Sequence, residues 1–134
     1  MPFLLDSNFC FTLLRNKNSP GWKRLNAVLA NEVLLSAVVE AELLTGAAKA
    51  RDPIQATTEV QAFISNFVRL PFDSAAARVY AAIRAELESK GTPIGPNDFL
   101  IAATALHNQL TLITANTREF SRVPGLLVED WTKP

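Results

Sequence analysis

Apolar residues fall along this chain in two rhythms. Short runs at Phe3-Leu4-Leu5, Val33-Leu34-Leu35, Val68-Arg69-Leu70, Thr111-Leu112-Ile113 and Leu126-Leu127-Val128 have the length of strands buried within a sheet. Between them the spacing widens to that of helices. After Asp52-Pro53, the residues Val60, Phe63, Ile64 and Phe67 recur at helical intervals. From Ser74 onward Ala76, Val79, Tyr80, Ile83 and Leu87 do the same, until Lys90-Gly91 and Pro93 stop the helix. Alternation of strand and helix predicts an α/β fold, a mostly parallel sheet of about five strands flanked by helices. No linker-like stretch, low-complexity tract or repeat interrupts it, so residues 1–134 are expected to form one domain.

Helix starts can be read from their caps. Asp6-Ser7-Asn8 follows the first run and offers side-chain acceptors to a helix through Phe9 to Leu14. Ser36 caps a helix that continues past Glu42 to Ala48, and Gly95-Pro96-Asn97-Asp98 sets an N1 proline before Phe99-Leu100-Ile101-Ala102-Ala103. Three acids, Asp6, Glu42 and Asp98, therefore gather near strand-to-helix handovers. Each alone reads equally well as a helix-start or solvated carboxylate. Together, set in Leu4-Leu5, Leu43-Leu44 and Phe99-Leu100, they predict partial burial, where an uncompensated carboxylate is costly. Carboxylates converging at strand ends form the hard-oxygen site that Mg²⁺ or Mn²⁺ takes, and such ions support phosphodiester hydrolysis. Glu40 is a tempting fourth ligand, but two residues on a helix are separated by about 200° of rotation, so it should point away from Glu42.

Composition narrows the reading. At 49% hydrophobic content, 134 residues suffice for one substantial core. No apolar run reaches the roughly 18 residues of a membrane span, and the opening meets an acid too early for a signal peptide. A cytoplasmic protein is expected. The lone Cys10 has no disulfide or zinc partner and is expected to be a packing residue, as is Tyr80. His107, the one histidine, falls near a helix end as a cap or surface residue, which disfavours histidine-based catalysis. Thirteen bases balance thirteen acids, so RNA attraction must be local. The candidate phosphate contacts are Arg15, Lys17, Arg118 and Arg122, with further cations at Lys23, Arg24, Lys49 and Arg51, and Trp22 is a candidate base-stacking residue.

Five strings then resemble one family. Leu4-Leu5-Asp6-Ser7-Asn8 is similar to its LLDTN opening, Ser36-Ala37-Val38-Val39-Glu40-Ala41-Glu42-Leu43 to S-x-V-x-x-A-E-L, and Pro96-Asn97-Asp98-Phe99-Leu100-Ile101-Ala102-Ala103 to P-N-D-x-L-I-A-A. Thr114-Ala115-Asn116-Thr117-Arg118-Glu119-Phe120 resembles T-N-N-T-R-E-F, and Val128-Glu129-Asp130-Trp131 resembles V-E-x-W. The family is that of the PIN-domain ribonuclease toxins of the VapC type. The resemblance implies the strand order 3-2-1-4-5, metal-binding and catalytic carboxylates at Asp6, Glu42 and Asp98, and supporting polar groups at Asn8 and Thr114. It also implies a toxin that cleaves a structured RNA such as tRNA and forms homodimers. A VapB-type antitoxin would lie across its cleft and alone contact operator DNA.

One departure concerns the fourth acid. Many PIN domains carry aspartate where this chain has Asn116, which can offer a carbonyl oxygen but no charge. Glu119 is the nearest carboxylate able to compensate, so both stand as candidate ligands of a second, weaker metal. Two other classes stay open. A P-loop or haloacid-dehalogenase-like enzyme would need G-x-x-x-x-G-K-[ST], or an acid where Asn8 stands, and has neither here. A catalytically silent PIN-like module that grips RNA or protein without cutting remains as the alternative.

Overall fold

The structure, a computed structural model, describes residues 2–134. Five strands, β1 (Phe3–Leu5), β2 (Val33–Ser36), β3 (Val68–Leu70), β4 (Thr111–Ile113) and β5 (Val128–Glu129), form one sheet in the order β3-β2-β1-β4-β5. All four pairings are parallel, with Leu4 opposite Leu34 on one side and Leu112 on the other. Parallel strands are connected by crossovers that cover both faces, which is why Leu4, Leu5, Leu35, Leu112 and Ile113 are all fully buried. The helices are α1 (Ser7–Arg15), α2 (Pro20–Asn26), α3 (Ala37–Ala48), α4 (Pro53–Ile64), α5 (Ser74–Ser89), α6 (Pro96–His107) and the single turn α7 (Thr117–Phe120). None is long and apolar enough to cross a membrane.

The caps act as the sequence indicates. The Phe9 N–H donates to Asp6 Oδ1 at 2.8 Å and the Val39 N–H to Ser36 Oγ at 3.0 Å, so β1 and β2 each turn directly into a helix. Gly91, at φ +70°, closes α5 where the Thr92 N–H donates to the Leu87 carbonyl at 2.9 Å, the left-handed stop that glycine favours.

Helix α5 opens at Ser74, as the pattern indicates, with Asp73 before it as the cap, its Oδ1 accepting from the Ala76 N–H at 2.9 Å. Differences from the pattern have local causes. Helix α4 ends at Ile64, so Phe67 lies in the turn before β3 and packs edge-on against Phe63 at 5.1 Å between ring centroids. The last strand is Val128–Glu129, shifted from Leu126-Leu127-Val128, although the Leu127 carbonyl already accepts from the Leu112 N–H at 2.8 Å. Helix α2 has no counterpart in the sequence pattern. It starts at the Ser19-Pro20 cap and is pinned by Trp22, whose indole N–H donates to the Leu13 carbonyl at 3.0 Å and whose ring meets Phe63 edge-on. Trp22 thus anchors α2. Cys10 is fully buried, and Tyr80 packs between Phe72 and Phe99, both as the sequence suggests.

Trp131 closes the core from the C-terminal side. Its ring meets Phe3 at 5.0 Å and Phe9 at 6.1 Å, and its indole N–H donates to Glu129 Oε1. Phe9 also forms the floor on which α2 crosses α1. A Cβ at Gly21 would lie 2.7 Å and 2.9 Å from two Phe9 ring carbons and 3.1 Å from Leu13 Cδ2. Both side chains are locked in the core, so Gly21→Ala is expected to destabilise the fold by about 1–3 kcal/mol through overpacking. Urea denaturation measures this, and a wild-type midpoint would mean that α2 yields at no cost.

Candidate active site

The sheet order reverses direction of growth at β1, which has β2 on one side and β4 on the other. Open α/β sheets place their ligand crevice at such a point, beyond the carboxyl ends of the strands. Asp6, the first residue after β1, stands there. Its backbone N–H donates to the Ile113 carbonyl of β4, and its Oδ1 is held by α1. The Thr114 hydroxyl at the end of β4 donates to the same carboxylate and accepts the Asn116 N–H at 2.9 Å. Two neighbouring strands therefore fix one acid.

Helices bring the other acids. Glu42 lies one position before the fully buried Leu43 on α3, and Asp98 lies in the first turn of α6, before the buried Phe99. The three carboxylates share one electrostatic environment. Burial raises the pKa of Asp6; Thr114 and the Phe9 N–H oppose this, and the charges of Glu42 and Asp130 add to it. Asp98 is pushed up to about 6, first by burial and then by the charges of Glu119, Glu42 and Asp6. Burial, with the same two charges of Asp6 and Glu42, also pushes the Cys10 thiol well up, so it stays protonated.

Glu42 carries the sharpest sign of what the site takes. Its Oε1 is buried and has no hydrogen-bond partner. Among the described residues no lysine or arginine pairs with Asp6, Glu42 or Asp98. An orphaned carboxylate oxygen beside two more acids is costly unless a cation joins it, and the donors are all hard oxygens. The residues present therefore fit Mg²⁺ or Mn²⁺. Among the described residues no three His, Cys, Asp or Glu side chains stand close enough together to hold a metal ion as they are.

Glu119 and Asn116 are joined to each other. Asn116 Nδ2 donates to Glu119 Oε2 at 2.7 Å, and the Gly95 N–H at the start of α6 donates to Glu119 Oε1 at 3.1 Å. Glu119 thereby ties α7 to the turn that carries Asp98, across 24 positions of sequence. Sequence reasoning weighed these residues as ligands and missed the bridge.

The remaining candidates separate. Glu40 points away from Glu42, as expected, and meets Arg69 of β3 at 3.7 Å. His107 is exposed at the far end of α6, nine residues and roughly 14 Å along the helix axis from Asp98. Asn8 is exposed on the first turn of α1, beside Asp6 in sequence. Arg15 lies over the Phe11 ring at 5.6 Å, on the helix that borders a groove of about 700 Å³ leading from Glu42 past Phe11, Val38 and Leu100 to Lys49. Lys17 faces a different hollow with Trp22 and Phe63. Arg118 is exposed on α7, whereas Arg122 donates to the Pro93 carbonyl at 3.0 Å and braces the loop before α6, a structural use that the sequence did not suggest.

Comparison with known proteins agrees with this geometry. Residues 3–126 match the PIN domain family. The tRNA(fMet)-specific endonuclease VapC of Shigella flexneri is 39% identical over 98% of this chain and 99% of its own length. Ribonuclease VapC2 of Rickettsia felis is 36% identical over 99% and 100%. The crystal structure of DNA-bound VapBC from Salmonella typhimurium superimposes with a TM-score of 0.93 at 39% identity, covering 98% of both chains. With its fold, strand order and sequence matched along nearly its full length, this chain belongs to the PIN-domain family and, within it, to the VapC ribonucleases.

Proposed function

We propose that this chain is the toxin of a VapBC-type toxin–antitoxin pair, a divalent-metal-dependent endoribonuclease acting on structured RNA, tRNA foremost. Asp6, Glu42 and Asp98 are its metal-binding and catalytic carboxylates. The observation that carries this reading is the partnerless buried oxygen of Glu42 beside two acids of raised pKa. The naming of the Shigella relative supports tRNA as the substrate.

An ion held by these carboxylates would supply Lewis-acid polarisation of a phosphodiester and a bound water of lowered pKa. The chain supplies the placement. Asp6 is oriented by the Phe9 N–H and the Thr114 hydroxyl, so one of its oxygens is committed to the fold while its charge serves the cleft. Asn8 adds a polar group on the exposed first turn of α1. Asp98 rides on α6, whose start is fixed by Glu119 through Gly95. Asn116 acts by holding Glu119 rather than as a ligand.

The groove beyond Glu42 suits the antitoxin. Its walls include Phe11, Val38, Ala41 and Leu100, with Lys49 at one rim, which favours a short apolar peptide. A basic side chain of that peptide at Glu42 would take the place in the charge balance that the metal otherwise fills. The Salmonella and Rickettsia relatives were crystallised as VapBC with DNA, which supports operator binding through the antitoxin. A second hollow, of about 430 Å³ around Trp22, Val28 and Phe67, supports homodimer contact.

Incubating the purified protein with a tRNA pool, with Mg²⁺ or with EDTA, tests the reading. Cleavage should require the metal and should fall at least roughly 100-fold in Asp6→Asn, Glu42→Gln and Asp98→Asn. Glu40→Gln should stay within about 3-fold of wild type, since it loses only a surface ion pair. Undiminished cutting in EDTA, or by any of the three variants, would overturn the assignment.

Stability without metal should depend on pH with a defined sign. Because the folded-state pKa of Asp98 is about 6 against an ordinary 3.8, the folded protein holds this proton where the unfolded chain has lost it. Its contribution is therefore most favourable below about pH 4 and is lost as pH rises through about 6. Asp98→Asn should flatten that decline in thermal melts between pH 4 and 7 in EDTA, and an unchanged slope would place the proton elsewhere.

Asn116→Asp exchanges the amide donor for a second carboxylate against Glu119, where the contact is now 2.7 Å. In EDTA it should melt below wild type, and saturating Mg²⁺ should narrow the gap by offsetting the added charge. Differential scanning fluorimetry in both conditions reads this directly. Equal melting in EDTA would mean that the Asn116–Glu119 bond does not hold the loop.

A further inference from the structure

Arg24 is the cation whose placement the nuclease chemistry described so far does not use. It lies on α2, half-buried, with its guanidinium 5.8 Å from the centre of the Trp131 ring. Stacking of this kind holds the planar group in one orientation and leaves its N–H edge available. Among the described residues no carboxylate lies within ion-pair distance of it and no acceptor takes its N–H donors. A half-buried arginine on a fully buried tryptophan, with unused donors, is arranged for an anion from outside.

Register fixes where that anion would be. The Asp6 N–H donates to the Ile113 carbonyl, and one step further the Thr114 N–H donates to the Glu129 carbonyl at 2.9 Å. Asp130 and Trp131 follow at once, so the Arg24 seat lies on the β5 side of Asp6, with Asp130 between them. Asp130 links the two electrostatically. Burial pulls its pKa upward, but Thr132, Lys133 and Arg24 outweigh that and hold it low, while its charge in turn reaches Asp6.

We infer that Arg24, seated on Trp131, is an RNA-binding residue that grips a backbone phosphate flanking the scissile one on the Asp6 side of the cleft, with Lys133 as its neighbouring cation. This rests on the ribonuclease reading for its substrate. An anionic strand crossing the carboxylates needs cations beside them, because the chain has no net charge to attract it. Arginine suits this place better than lysine, since its fork contacts two phosphate oxygens at once and little rotamer freedom remains to be lost.

The test uses the full-length chain and a tRNA pool in two arms. In the cleavage arm, Arg24→Gln should raise KM about ten-fold with kcat changed less than about 2-fold. Arg24→Lys should recover only part of that loss, since it keeps the charge and loses the fork. In the binding arm, measured by fluorescence anisotropy on the inactive Asp98→Asn background, Arg24→Gln should lower the slope of log affinity against log salt by roughly 0.7–0.9, the share of one phosphate. Arg24→Lys should keep the wild-type slope. A role in packing alone would lower the melting temperature and leave the salt slope intact, and that result overturns the inference. So does a wild-type KM in Arg24→Gln. Absence of tRNA cleavage by the unmutated protein would sink the ribonuclease reading instead, and the binding arm would still decide Arg24.

Discussion

Uncompensated negative charge at the carboxyl edge of a parallel sheet is the constraint around which this molecule is organised. Asp6, Glu42 and Asp98 are brought to one crevice by three different elements, and among the described residues no lysine or arginine side chain pairs with them. Like charges in a medium of low dielectric repel strongly, so the arrangement holds only because the elements carrying them are committed elsewhere. Leu4 and Leu5 anchor β1, Val39, Leu43 and Ala47 anchor α3, and Ile101 to Ala105 anchor α6, all in the core. Packing enforces what electrostatics opposes. The outcome is a cluster of acids whose charge a cation would offset, with the pKa of Asp98 pushed up to about 6.

The fold lowers the local cost of the arrangement by giving its polar residues two tasks. Asp6 caps α1 and charges the cleft, Thr114 orients Asp6 and caps the turn to Asn116, and Glu119 charges Asp98 while bonding the turn beneath it. Asp6 and Glu119 each accept hydrogen bonds from the fold, and those at Asp6 oppose the rise in pKa that burial causes. Glu42 differs from both. With no donor at Oε1 it is the acid with most to gain from a metal or from a basic side chain of a partner, and it stands where the groove meets the cleft. Activation and inhibition would therefore compete for the same unsatisfied oxygen.

What the sequence revealed follows from how local each signal is. Strand runs, the caps at Asp6 and Ser36, the N1 proline at Pro96 and the stop at Gly91 lie within a few residues of what they determine, and the structure reproduces them apart from the last run, which shifts to Val128–Glu129. The order of the five strands came only from family resemblance, since no local pattern encodes which parallel strand lies beside which. Helix α2 escaped notice because seven residues with one central tryptophan give no usable period; it is held by contacts to Leu13 and Phe63. Asn116 and Glu119 read as ligand candidates because their types suggest it, yet their bond to each other and to Gly95 depends on α7 folding against α6. Arg122 reads as a candidate RNA contact by its type, and its bond to the Pro93 carbonyl likewise depends on a distant loop.

The same logic separates Arg24 from the other cations. Arg84 is shared among Tyr80, Phe99 and Glu88, and Arg69 is tied to Glu40 and to backbone carbonyls. Each of these is accounted for by its neighbours. Arg24 and Trp131 are 107 positions apart in the chain (131 − 24), so their contact exists only once β5 has paired beside β4. That pairing also brings Asp130 level with Asp6. Formation of the last strand therefore completes the hydrophobic core and sets a cation at the edge of the acidic cleft in one step. A strand needed for stability is in this way also a strand that shapes how an anionic chain would approach the carboxylates.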